Sequence, residues 1–311
     1  MKKTLAVFLC ILFVSPGFAL GQNEKRSIQE TPAVEFRAAA EKAQLDYKVK
    51  RAITSSLPTE EIRPALPVPE NQWNAYEQMV QRARTRFENL SQDFPDYCCI
   101  VTMRENIDGE LQEFQRAQAL VRARPFSVYM KYISPDDCRG RELLYVQGSY
   151  NGRMIVTKGG LRPALAHITR AILPDSELAA SKTNHKISEI GIASMMQQLI
   201  DVADLAKEFP ACKISFFENA KVDKRSCTVI QIVHEPKSDR FPFYFGQIFV
   251  DNQWQIPVRF ISYDWPEEGE QPQIKEEYTY TNIIPNVNST DADFDFRNPR
   301  YEFKKDLVIP E

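Results

Sequence analysis

Three histidines in 311 residues leave little material for a histidine-built metal centre or for general-base chemistry. Glycine is sparse at 11 residues, and no G-x-S-x-G elbow, Walker loop or dinucleotide glycine fingerprint occurs. No C-x-x-C is present, which argues against a thioredoxin-like redox role. Positive charge is not in excess: 39 Lys and Arg stand against 42 Asp and Glu, a net charge of −3, so no nucleic-acid partner is expected. No cofactor is implied, and the composition favours a non-enzyme.

What the chain does have is 43% hydrophobic residues with 19 Phe and 12 Tyr, a globular composition suited to strands. At the N-terminus Lys2 and Lys3 precede an apolar run from Leu5 to Val14, then a Ser15-Pro16-Gly17 break and the small residues Ala19 and Gly21. A charged start, short apolar core and small-residue exit predict a signal peptide over residues 1–21, cleaved before Gln22. The run is half the ~20 residues a membrane span needs, and no later stretch approaches that length. The mature protein is therefore expected to be exported, to the periplasm or beyond, with no transmembrane segment. Cys10 lies inside the apolar core, which does not suit lipid attachment. Cleavage leaves Cys98, Cys99, Cys138, Cys212 and Cys227, an odd set whose pairing the sequence does not specify.

Residues 22–70 read as an N-terminal extension, helical over 33–53 and then a linker carrying Pro58, Pro64, Pro67 and Pro69. A single domain is expected over 71–303, with 304–311 as a C-terminal tail. It opens with Trp73, Tyr76, Val80, Ala83, Phe87 and Leu90 at helical spacing, capped by Asn71. Strands are predicted at 97–106, 111–120, 126–133, 142–147 and 153–158, with Asp108-Gly109 as a hairpin turn. A second amphipathic helix is predicted over 187–209. Further strands follow at 212–218, 226–234, 242–250, 253–263 and 275–283, the third and fourth joined by an Asp251-Asn252 turn. The class is α+β: one curved antiparallel sheet with two helices covering one face.

Candidate chemistry is thin. Asp291, Asp293 and Asp295 occupy positions 1, 3 and 5 of an EF-hand loop, yet Phe296 stands where the glycine is needed. A turn capped by Thr290 with Asp293, with Phe294 and Phe296 packing, fits better. His167, His185 and His234 are scattered and read as structural. Glu267, Glu268 and Glu270 sit in a solvated loop, and of Glu276 and Glu277 only one can face inward.

The segments Pro125–Lys131, Gly140–Val146, Glu276–Asn282 and Thr290–Asp295 resemble a secreted bacterial family of unknown function, over about residues 72–303. More distantly the layout is similar to LolA/LolB-like lipoprotein carriers, with a leading helix, a curved half-barrel and a closing acidic-Phe segment. That resemblance implies an apolar cavity between sheet and helices, suited to acyl chains. Its candidate lining is Val128, Met130, Tyr132, Tyr145, Met195, Met196, Phe243, Phe245, Phe260, Tyr278 and Tyr280. The functional expectation is non-catalytic binding of a lipid or acylated partner in that cavity. The alternatives are an interaction module with a filled core and an envelope protein partner, and, last, a hydrolase.

Overall fold

The computed structural model describes residues 70–160, 168–180, 183–208, 212–235, 237–267 and 269–310. The leader at 1–21 and all but the last residue of the 22–70 extension lie outside them, as do His167 and Glu268. Helix α1 spans Glu70–Asp93, one residue ahead of the expected Asn71 cap, and buries Tyr76, Val80 and Leu90. After it come β1 (Asp96–Ile107), β2 (Glu110–Leu111), β3 (Gln115–Arg122), β4 (Ser127–Ser134), β5 (Glu142–Val146), β6 (Met154–Thr157) and β7 (Thr169–Ile172). A short helix α2 (Glu177–Ala180) and helix α3 (Ile192–Lys207) lead to β8 (Lys213–Val222), β9 (Arg225–Val233), β10 (Phe245–Asp251), β11 (Pro257–Tyr263) and β12 (Ile274–Pro285).

All twelve strands form one antiparallel sheet, in the order β7-β6-β5-β4-β3-β1-β12-β11-β10-β9-β8, with β2 pairing β1. Irregular register on β1–β12, β3–β4, β10–β11, β11–β12 and β8–β9 bends the strands where a flat sheet would otherwise run. The α+β class with a curved antiparallel sheet is thus the observed one. Strand order also dictates the covering layer. Because β7 and β8 are opposite edges, the chain between them must cross the whole face, ~48 Å for ten strand spacings if flat.

That crossing supplies α2, a 3₁₀ turn at Ile187–Glu189 and α3. The expected continuous helix over 187–209 is broken at Ile190 and Gly191, where Gly191 takes φ 113°. Two tyrosine hydroxyls receive the freed N–H groups: Gly191 N donates to Tyr280 Oη at 3.1 Å and Ile192 N to Tyr97 Oη at 2.9 Å. Strand β7 has no counterpart among the expected strands, since four edge residues carry too little periodicity to declare themselves. β3 begins at Gln115 instead of residue 111, because Asp108 (φ 53°) and Gly109 (φ 86°) close a short β1–β2 hairpin first. β10 and β11 are likewise shorter than expected. Asp251 accepts from the N–H groups of Gln253 and Trp254, which makes the turn longer than two residues.

The two faces are covered differently. α1 and α3 pack against each other and over the β8–β11 side of the inner face, closing the main core. On the outer face, Phe294, Phe296, Tyr301 and Phe303 pack on Leu144, Val146 and Ile155, and Leu307 and Ile309 extend that cover. Thr290 and Asp293 form the expected capping box there, and Asp291, Asp293 and Asp295 each pair with an arginine: Arg122, Arg300 and Arg297. All five described cysteines are buried and free.

Candidate functional site

Under β4–β7 the inner face is roofed, among the described residues, by residues 173–180 and 183–190, whose regular elements are the four-residue α2 and the 3₁₀ turn Ile187–Glu189. So short a roof leaves a cavity of about 700 Å³. Inward residues of four strands floor it: Met103 on β1, Met130 on β4, Leu143 on β5, and Met154 and Val156 on β6. Ile172 on β7, opposite Met154, extends this floor; Ile187 and Ile190 close the cavity from the roof side, while Ile168 and Leu178 are more than 40% exposed at its mouth. Exposed apolar side chains at the entrance of an apolar cavity are a binding-site feature rather than a packing one.

The candidate lining residues divide. Met130 and Tyr132 line this cavity. Met196 borders a separate gap of about 70 Å³ between the long helices and the sheet. Val128, Tyr145, Met195, Phe243, Phe260, Tyr278 and Tyr280 are on the helix-covered face but belong to packed core. Phe245 is a correction. It stands opposite Tyr263 and Val233, on the outer face, while Phe243 lies before the strand with its ring over Gly246. The two phenylalanines flank the start of β10, so alternation from a strand assumed to begin at 242 puts them wrongly on one side.

One polar cluster stands where β1 meets β12, with Glu105 and His185 on the cavity wall. Glu105 and Glu276 face each other across the two strands, both buried, and His185 reaches them from the roof. His185 Nε2 lies 2.5 Å from Glu276 Oε2 and its Nδ1 3.4 Å from Glu189 Oε2. Glu105 Oε1 accepts from Tyr278 Oη at 2.6 Å and from Asn184 N at 3.1 Å. Burial opposes charge on the imidazole, but the hydrogen bond to Glu276 and the charges of Glu276, Glu105 and Glu189 prevail, raising its pKa to about 9. His185 is therefore a cation at neutral pH. Glu277, its side chain on the outer face, joins Arg104 and Arg259.

The remaining described histidine is unlike it. His234 is fully buried, stacked on Phe241 at 3.7 Å, with Nδ1 3.1 Å from Cys212 Sγ. Burial lowers its pKa to about 4 and raises the Cys212 thiol to about 11, so the pair is neutral and inert. The chain distance between His185 and Glu276, 91 residues, explains why no sequence signal joins them; the alternation at Glu276-Glu277 is the one hint available.

No curated protein matches the sequence. Among solved structures, a DUF1329 family protein from Desulfovibrio piger is 15% identical, with 74% of this chain and 98% of that one covered and a TM-score of 0.33. A LolA superfamily protein from Nitrosomonas europaea is 10% identical (70% and 97% covered, TM-score 0.32), and the Mycobacterium tuberculosis lipoprotein LppX is 15% identical (71% and 100% covered, TM-score 0.38). At such scores no functional argument rests on them. The family described as "Protein of unknown function (DUF1571)" matches residues 94–303, from the residue after α1 to the last phenylalanine packed on the outer face, and the chain belongs to that family.

Proposed function

We propose that this protein is an exported, non-catalytic envelope protein that holds a lipid or an acylated partner in the cavity beneath β4–β7. The observation that carries the reading is the cavity itself: about 700 Å³, floored by methionine, leucine and valine on a rigid sheet and roofed by a thin segment. A volume of that size suits a ligand of drug or lipid dimensions. Each buried methylene contributes ~0.8 kcal/mol, so one acyl chain is worth several kcal/mol without any catalytic group. Flexible Met103, Met130 and Met154 adapt to chains of different shape. Export is supported by the charged, apolar and small-residue pattern of residues 1–21. Among the described residues no helix is long and apolar enough to cross a membrane.

Native mass spectrometry of the mature protein from its own cell envelope tests this. The expected result is a mass excess that organic extraction removes and that proves to be lipid. Val156→Trp, which places an indole in the cavity, should be purified without that excess and with its thermal midpoint intact. A bare polypeptide mass in both proteins would instead favour the interaction-module reading.

A further inference from the structure

The charge around the cavity is not evenly distributed. Arg170 stands across β6–β7 from Val156 and so shares the inner face; Lys158 follows two residues after Val156, on the same edge. Arg141, at the start of β5, lies with them: its Nε donates to the Lys158 carbonyl at 3.2 Å and its guanidinium sits over the Tyr132 ring at 5.3 Å. All three line the cavity, and among the described residues none forms an ion pair. Asp175, the nearest lining acid in sequence, lies past the other end of β7.

On the opposite side most lining charges already have partners. His185 pairs with Glu276 and Glu189 beside Glu105, and Arg104 with Glu277, so that among the described residues Lys186 is the one lining cation there without an ion pair. Four strand spacings, ~19 Å, separate β1 from β6. Three cations without ion pairs at one edge repel one another and attract an anion, while charges already paired with one another attract it less.

We propose that the ligand is an amphiphile with an anionic head, carboxylate or phosphate, held by Arg141, Lys158 and Arg170, its apolar chain running across the methionine-lined floor toward β1. This rests on the lipid-binding reading and adds the head-group chemistry and the orientation. Guanidinium and ammonium donors to an oxyanion make charge-assisted hydrogen bonds, roughly twice as strong as neutral ones.

Calorimetric titration of the delipidated mature protein with palmitate, hexadecyl phosphate and 1-hexadecanol, each below its aggregation threshold, is the test. One or both anions should bind at least ~10-fold tighter than the alcohol at low salt, a gap that narrows as salt rises. Which anion binds better assigns carboxylate or phosphate. In Lys158→Gln/Arg170→Gln, two exposed positions whose exchange should leave the thermal midpoint unchanged, the preference should vanish while the alcohol binds as before. Equal binding of anions and alcohol, or a preference that survives the double substitution, overturns the head-group assignment and leaves the lipid reading standing. Inorganic phosphate displacing the amphiphile at equal affinity would overturn it too, by making the site a free-anion site. Failure of all three amphiphiles to bind overturns both readings.

Discussion

Two histidines of one chain are pushed in opposite directions by their surroundings. His185, among carboxylates, keeps its proton to about pH 9; His234, in an aromatic and thiol pocket, is neutral down to about pH 4. The folded state binds the His185 proton more tightly than the unfolded chain with its pKa of 6.5, so that stabilisation is whole below pH 6.5 and is lost as pH rises through about 9. For His234 the folded pKa is below 6.5, so its contribution is whole above pH 6.5 and is lost as pH falls toward 4. Urea midpoints measured from pH 4 to 9 should therefore peak near pH 6.5. His185→Gln should remove the alkaline limb and lower stability at pH 6 by on the order of 2 kcal/mol. His234→Leu should flatten the acid limb. A profile unchanged by either exchange would contradict these environments. The two roles were not legible in the sequence, which offers only scattered histidines; that only one of Glu276 and Glu277 faces inward was legible, because strand alternation is local, but which one was not.

At the scale of elements, the edge that presents Arg141 and Lys158 depends on a close backbone approach. A Cβ on Gly159 (φ 66°) would sit 2.4 Å from Arg141 N, whereas one on Gly148 (φ 78°) would meet nothing within 4 Å. Gly148→Ala should cost about 1 kcal/mol from backbone conformation alone, and Gly159→Ala at least ~2 kcal/mol, since the edge must also move. Thermal melts separate the two, and Gly159→Ala should weaken binding of the anionic amphiphile as well. The outer cover is a second element-level dependence. Phe303, 2% exposed, packs with Tyr301 and Tyr129 over β4–β6. Phe303→Ala should lower the unfolding free energy by ~3 kcal/mol, read from the denaturant midpoint at constant m. The acidic-Phe segment signals its own turn in sequence through Thr290 and Asp293, but not the surface on which its phenylalanines land.

At the scale of the molecule, one crossing connection does two jobs. Its second half, α3, pairs with α1 and fills the β8–β11 side; its first half, α2 and the turn after it, only roofs the β4–β7 side. A packed half and a hollow half thus share one sheet. A ligand present at a hundred times its dissociation constant should add ~2.7 kcal/mol to stability, a rise of several degrees in the thermal midpoint. Val156→Trp should keep its unliganded midpoint and lose that rise.

The periodic elements were already legible in the amino-acid order: α1, α3, most strands, the Asp108-Gly109 turn and the α+β class. These follow from period-3.6 and period-2 burial and from turn chemistry, which act over a few residues. Where the empty space lies depends on how the elements pack. Met195, Tyr278 and Tyr280 carry the same apolar signature as Met130 and Tyr132, yet the first three are packed and the last two line a cavity. The difference comes from how much chain crosses above each strand, a property of strand order that no local pattern contains. The same holds for His185 with Glu105 and Glu276, and for Arg141 with Lys158 and Arg170: charges far apart in the chain become neighbours because the ends of β1, β5, β6, β7 and β12 meet at one end of the sheet.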